Sequence, residues 1–159
     1  MTNPDLRDLY QQVILDHARS PRNFGELECS GCCSAEGRNP LCGDMIRIFI
    51  ELENGVLKEV TFNGDGCAIS KASASLMTES IRGKTIRHAQ ELFKQFHEML
   101  TVNTDDAKDN GPAPEKDNCE VGLGKLDVFS GVVEFPSRIK CASLAWHAMR
   151  AALEIRRHR

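Results

Sequence analysis

Two short segments place cysteine and aspartate beside glycine, where they could bind a metal ion. The first is NPLCGD at 39–44, in which Cys42 and Asp44 leave the same turn and Pro40 stiffens the approach. The second is GDGCAIS at 64–70, where Cys67 falls just before or at a predicted helix start. Backbone N–H groups and the helix dipole at such a position favour a thiolate.

A third segment, RIKCASLAW at 138–146, carries Cys141 in the opening turns of the last predicted helix, with Arg138 on the same face. Three thiolates and one carboxylate could converge tetrahedrally on Zn(II) or on the irons of a small cluster. Such a zinc site would carry a charge of about −2, so a nearby Arg138 or Lys140 has a physical reason to be there. The candidate metal ligands are Cys42, Asp44, Cys67 and Cys141.

The carboxylate among these ligands indicates an exchangeable bond, which favours a reactive site over a closed structural one. Spacing alone does not separate this site from four ordinary residues, because a lone cysteine is often a small buried hydrophobe. Both interpretations therefore remain open on the residues alone.

The elements around these segments are expected to be helices and a small antiparallel sheet. Apolar residues at helical spacing predict an amphipathic helix over residues 4–19. Alternating apolar residues at 46–52 and a strand pattern at 56–62 flank an Asn-Gly dipeptide, which predicts a hairpin. A further short strand near 34–39 has too weak a periodicity to be established.

Three helical patterns follow the hairpin. The first begins after Cys67 and stops at Gly83, the second is capped by Thr85, and the third runs from about Pro136 to Ile155. Residues 101–118 are polar, acidic on balance and rich in turn formers, which predicts a mobile loop. The predicted class is α+β, with helices packed on the sheet.

Composition limits the possible functions. The 159 residues are 41% hydrophobic, which fits a single domain over 1–159, and no apolar run approaches a membrane span. A net charge of −3 makes nucleic acid a poor partner. Seven cysteines without an expected secretory signal favour metal or thiol chemistry over a disulfide scaffold, and a cytoplasmic location.

Four motifs together resemble one known family. LYQQVILDHARSPRN, NPLCGD, GDGCAISKASASLM and FPSRIKCASLAW occur in the order found in the SufU-type branch of the NifU/IscU-like iron-sulfur cluster assembly proteins. The resemblance implies a three-stranded antiparallel sheet with helices. It also implies that zinc is bound by the residues aligned here as Cys42, Asp44, Cys67 and Cys141.

The same resemblance implies a zinc-dependent sulfur acceptor. Its partner would be a pyridoxal-phosphate cysteine desulfurase, whose persulfide sulfur passes to Cys42 after the zinc ligands rearrange, with Arg138 assisting. Sulfur would then be relayed to downstream cluster assembly proteins. The expected activity is that of a sulfurtransferase-like relay and desulfurase activator, rather than of an independent enzyme.

The related IscU branch supports assembly of a [2Fe-2S] cluster and carries histidine where this chain has Lys140. Lysine is not a plausible replacement ligand, and the segment before FPSRIKCASLAW resembles the longer one of SufU-type proteins. Zinc-dependent sulfur transfer is therefore favoured over a scaffold that binds iron or a [2Fe-2S] cluster, which stays as the alternative.

The run CSGCC at 29–33 departs from the family pattern. Cys29 and Cys32 have metal-type or redox-type spacing, and Cys33 or Cys119 could join them, but no second matching pair exists. We interpret them as loop cysteines without a dedicated role. A purely structural metal site is disfavoured by Asp44, and a CxxC oxidoreductase by the missing βαβ pattern.

Overall fold

The computed structural model describes residues 4–27, 32–40, 43–101 and 124–157 of the chain. In chain order the elements are α1 (Pro4–Arg19), β1 (Cys32–Asn39), β2 (Asp44–Glu53), β3 (Val56–Asp65), α2 (Ala68–Ile81), α3 (Ile86–Thr101), a 3-10 helix (Gly124–Glu134) and α4 (Pro136–Arg157). The predicted α+β class is confirmed, with one three-stranded antiparallel sheet in the order β1-β2-β3.

The sheet is built on the predicted hairpin of β2 and β3. Asn54 and Gly55 have φ angles of 55° and 78°, as a two-residue turn between twisted antiparallel strands requires. β1 pairs with the other edge of β2, so that Asn39 lies opposite Asp44 where these two strands meet. β1 begins at Cys32, two residues before the weak pattern that indicated it.

The helices follow the sequence signals closely. α1 has the predicted bounds, and Thr85 caps α3 by accepting a hydrogen bond at Oγ1 from the backbone N–H of His88, at 3.1 Å. Gly83 has a φ of 78°, which lets the chain leave α2. Thr101 belongs to α3, and the rest of the predicted loop, residues 102–118, lies outside the described residues.

The 3-10 helix was not predicted. Its apolar side chains Leu126, Val128, Phe129 and Val132 are buried in the common hydrophobic core, and Phe129 packs edge-on against Phe96 of α3. The segment is therefore fixed by burial rather than by a local helix signal. Within the described residues, no helix has the length and apolar composition needed to cross a membrane.

Buried hydroxyls attach α2 to its neighbours. Ser73 is fully buried, and its Oγ donates to the carbonyl oxygen of Ala142 and accepts from Trp146 Nε1 at 3.1 Å. The Trp146 ring also stacks on Phe96, with ring centroids 4.7 Å apart. These contacts join α2, α3 and α4 in the core.

Two further hydroxyls of α2 face α1 and the segment after it. Ser75 Oγ lies 2.7 Å from His17 Nδ1 and accepts from the backbone N–H of Arg22 at 2.9 Å. Thr78 Oγ1 accepts from Asn23 Nδ2 at 3.1 Å. Burial, and then the nearby charge of Arg22, lowers the pKa of His17, so this histidine is a neutral hydrogen-bonding partner at neutral pH.

Candidate metal centre

Three of the four candidate ligands meet at one end of the sheet. Asp44 is the first residue of β2, Cys67 is the N-cap of α2, and Cys141 lies in the second turn of α4. One ligand atom from each lies within 4.8 Å of the others. Asp44 and Cys141 are buried and Cys67 is half-buried, so the group is open to partners on the Cys67 side.

The Asp44 carboxylate is held at both oxygens. Oδ1 accepts from the backbone N–H of Cys67 at 3.2 Å, and Oδ2 accepts from the hydroxyl of Ser70 at 2.6 Å. Asp44 is only 5% exposed and Ser70 is fully buried. These bonds stabilise the carboxylate in a place where water supplies little hydration.

A close approach at Gly66 makes room for this carboxylate. A Cβ on Gly66 would lie 3.1 Å from Asp44 Cγ and 3.2 Å from Ser70 Cβ. Both distances are below the usual optimum for non-bonded carbons of about 3.5–4.0 Å. The glycine therefore serves a packing purpose beyond chain flexibility.

Cys67 faces the same space from the start of α2. Its backbone is extended, with φ −70° and ψ 169°, and its side chain makes no capping hydrogen bond to the helix. The sulfur is instead directed at the site, 3.5 Å from Ser70 Oγ. The predicted place of Cys67, at or just before a helix start, is confirmed.

Arg138 brings positive charge to the two sulfur atoms. Attraction to Cys67 and a side-chain hydrogen bond with it raise the pKa of Arg138, and Cys141 adds to this effect. The guanidinium is on the exposed side of α4, next to the half-buried sulfur. An arginine in this place offsets the negative charge that thiolates and a carboxylate concentrate here.

Asn39 closes the site from β1. Its amide Nδ2 lies 3.9 Å from Cys141 Sγ, and Asn39 is 5% exposed. The Cys141 sulfur also lies 3.9 Å from the carbonyl oxygen of Ser137, one helical turn earlier. Both contacts are long, as is usual for sulfur, and they place polar groups around a fully buried thiol.

Cys42, the fourth candidate ligand, lies outside the described residues. Sequence reasoning also missed Ser70 and Asn39. A signal for Ser70 exists, because a residue three positions after Cys67 shares its helix face. Asn39 gives no such signal, since its role depends on the pairing of β1 with β2.

The CSGCC run has a different outcome from the one expected. Cys32 lies in β1 and is disulfide-bonded, which differs from the expectation of a reduced loop cysteine. Cys33 is buried, and its Sγ lies 3.7 Å from the carbonyl oxygen of Ile50. Cys29 and Cys119 lie outside the described residues, so their expected lack of a role stays a prediction.

The fold and the site define an α+β protein in which two cysteines and an aspartate meet at one end of the sheet. Residues 9–142 match the NifU-like N terminal domain, and the chain belongs to that family. The family resemblance predicted from the four motifs is thereby confirmed.

Named relatives agree with this placement. The chain is 40% identical over 147 residues to the zinc-dependent sulfurtransferase SufU of Bacillus subtilis, covering 92% of this chain and 90% of the relative. It is 35% identical over 149 residues to the iron-sulfur cluster assembly scaffold protein IscU of Streptococcus pyogenes, covering 94% and 85%. A crystal structure of a nitrogen-fixing NifU-like protein from Brucella abortus, 23% identical, shares the fold with a TM-score of 0.77 over 97% of this chain and 98% of that one.

Proposed function

We propose that this protein is a zinc-dependent sulfur acceptor of iron-sulfur cluster assembly, working in the cytoplasm with a cysteine desulfurase. The observation that carries the proposal is the convergence of Asp44, Cys67 and Cys141, whose ligand atoms lie within 4.8 Å of one another. The relative named as a zinc-dependent sulfurtransferase supports it, since the match covers 92% of this chain.

The donor set suits zinc. Ligand atoms around a tetrahedral zinc ion lie about 3.5–4 Å apart, so the observed grouping needs only small side-chain movements to bind one. Cys42 is the proposed fourth ligand. Only Gly43 separates it from Asp44, so covalent geometry keeps the Cα atoms of Cys42 and Asp44 within about 7 Å of each other.

Zinc, when bound, would keep the cysteine sulfurs deprotonated and protect them from stray oxidation. Asp44 and Arg138 have separate roles at this site. Asp44 supplies a weaker, exchangeable ligand, and Arg138 offsets negative charge next to Cys67 on the open side of the site. These features favour a site whose ligands rearrange when a partner docks.

Sulfur acceptance is assigned to Cys42. Its thiolate attacks the terminal sulfur of the persulfide on the desulfurase cysteine, the sulfur-sulfur bond of the donor breaks, and the donor cysteine leaves as a thiolate. Cys42 then carries the new sulfur-sulfur bond, so the transfer needs no external oxidant or reductant. A cluster assembly protein would take this sulfur in the next step.

A second candidate is a scaffold on which a [2Fe-2S] cluster is built. The 35% identity to a protein named as a scaffold over 94% of this chain favours it. Thiolates and a carboxylate could also hold iron. Lys140, which is exposed and not a plausible ligand, weighs toward zinc.

Metal and acid-labile sulfide content separates these functions. Anaerobically purified protein is expected to contain about one zinc per chain and no sulfide, and Cys141→Ser is expected to lose the zinc. Iron and sulfide in near-equal amounts would establish the scaffold instead. Absence of metal from both proteins would overturn both assignments.

Labelled sulfur tests the acceptor. With a pyridoxal-phosphate cysteine desulfurase and sulfur-labelled cysteine, label is expected on the unsubstituted protein and not on Cys42→Ala. The matched control is Cys33→Ala, since Cys33 is buried in the sheet, where its Sγ contacts the carbonyl oxygen of Ile50. Equal labelling of Cys42→Ala and Cys33→Ala would contradict the role of Cys42.

A further inference from the structure

We infer that Ser70 is a positioning residue for Asp44, which fixes the carboxylate in the orientation that binds the metal. This inference rests on the proposed function, because it supposes that Asp44 is a zinc ligand. Ser70 is not itself a ligand in the proposed set, and it acts through the residue it contacts.

The contact is short and buried. The Ser70 hydroxyl donates to Asp44 Oδ2 at 2.6 Å, while the backbone N–H of Cys67 donates to Oδ1 at 3.2 Å. A carboxylate held at both oxygens neither turns away from the site nor spreads both oxygens freely over a metal ion. Each oxygen keeps a lone pair, so the carboxylate presents a defined direction for a single coordinate bond.

The other buried hydroxyls of α2 serve a different purpose. Ser73 bonds to α4, and Ser75 bonds to His17 of α1. Ser70, by contrast, lies between two candidate ligands, bonded to Asp44 and 3.5 Å from Cys67 Sγ. A hydroxyl at this place is an outer partner of the metal ligands, and such partners orient ligands and tune their affinity for the metal.

Removal of the hydroxyl leaves the carboxylate under-satisfied. Asp44 is 5% exposed, so water replaces the lost donor poorly, and the carboxylate is then held only at Oδ1, by the backbone N–H of Cys67. The Asp44 carboxylate is then held less firmly in the orientation that binds the metal. Loss of an outer partner of this kind lowers metal affinity about 10–100-fold.

The experiment measures the affinity of the full chain for Zn²⁺ alone, by competition with a chromophoric chelator. Ser70→Ala is expected to bind Zn²⁺ about 10–100-fold more weakly than the unsubstituted protein. The matched control is Ser80→Ala on the same helix, whose hydroxyl donates to the Leu76 carbonyl oxygen, at 2.7 Å. Its affinity is expected to be unchanged.

A double-mutant cycle separates positioning from a general structural effect. In an Asp44→Ala background, Ser70→Ala is expected to cause no further loss of Zn²⁺ affinity, because there is no carboxylate left to orient. The absorption spectrum of the Co²⁺-substituted protein is expected to change in Ser70→Ala and not in Ser80→Ala.

The outcomes are distinguishable. Failure of the unsubstituted protein to bind Zn²⁺ overturns the proposed function and this inference with it. If the unsubstituted protein and Ser70→Ala bind Zn²⁺ equally tightly, the inference is overturned and the proposed function stands. The same holds if Ser70→Ala lowers the Zn²⁺ affinity by the same factor with Asp44 present and in the Asp44→Ala background.

Discussion

Alanine in place of Gly66 puts a methyl group against the Asp44 carboxylate. The new Cβ would lie 3.1 Å from Asp44 Cγ, 3.2 Å from Ser70 Cβ and 3.3 Å from Asp44 Cβ. These distances fall short of the optimum for non-bonded carbons by about 0.2–0.4 Å or more. Asp44 or Ser70 must therefore move by a few tenths of an ångström, which disturbs the hydrogen bond between them.

Two effects set the stability of the metal-free variant. Overpacking costs about 1–3 kcal/mol, and the restricted unfolded chain returns about 0.4–1 kcal/mol. The net loss is about 1 kcal/mol, which lowers the melting temperature of a chain of this size by about 2–4 °C. The displaced carboxylate should also weaken Zn²⁺ binding about 10-fold or more.

The matched control is Gly131→Ala. A Cβ on Gly131 would meet no atom within 4 Å, and neither glycine has a positive φ, so the two substitutions share the unfolded-state effect. Thermal unfolding of both metal-free variants and chelator competition with Zn²⁺ give the comparison. Equal melting temperatures and equal Zn²⁺ affinities for Gly66→Ala and Gly131→Ala would refute the packing argument.

Two more predictions concern buried polar groups of the fold. Burial, the largest cause, lowers the pKa of His17 in the folded protein. The stability that it contributes is therefore fully present above the unfolded pKa of about 6.5 and is lost as the pH falls toward the folded value. In urea unfolding of metal-free protein, His17→Gln should lose less stability between about pH 7.5 and 5.5 than the unsubstituted protein does, and equal losses would contradict this. Ser73→Ala removes the acceptor of Trp146 Nε1–H in the core, so calorimetry should show a loss of about 1–3 kcal/mol, and a loss below about 0.5 kcal/mol would show that another group satisfies the indole.

Local signals predicted much of the fold. The bounds of α1, the turn at Asn54 and the cap at Thr85 depend on residues that are close in the sequence. Local sequence patterns were therefore sufficient to predict them. Local patterns did not predict that Asp44, Cys67 and Cys141 meet. The spacing of these residues was compatible both with a metal site and with ordinary residues, and the ligand set came from the family resemblance.

Tertiary contacts decided what the sequence left open. β1 runs through small and polar residues such as Gly37 and Asn39, and it is a strand because it pairs with β2. The 3-10 helix takes its place from the burial of Leu126 and Phe129 rather than from helix propensity. Ser70 reaches Asp44 across two elements that are distant along the chain, and a pattern confined to one element does not contain that contact.

The buried hydroxyls of α2 fix the rotation of this helix about its own axis. These hydroxyls belong to Ser70, Ser73, Ser75 and Thr78, and each bonds to a different neighbouring element or segment. A small rotation of the helix would break several of these hydrogen bonds together. Methyl groups at the same positions would allow many rotations of similar energy. Cys67 is the N-cap of α2, so the position of its sulfur depends on how the whole helix is rotated. A substitution at Thr78, remote from the metal centre, would therefore shift the Cys67 sulfur relative to Asp44 and Cys141.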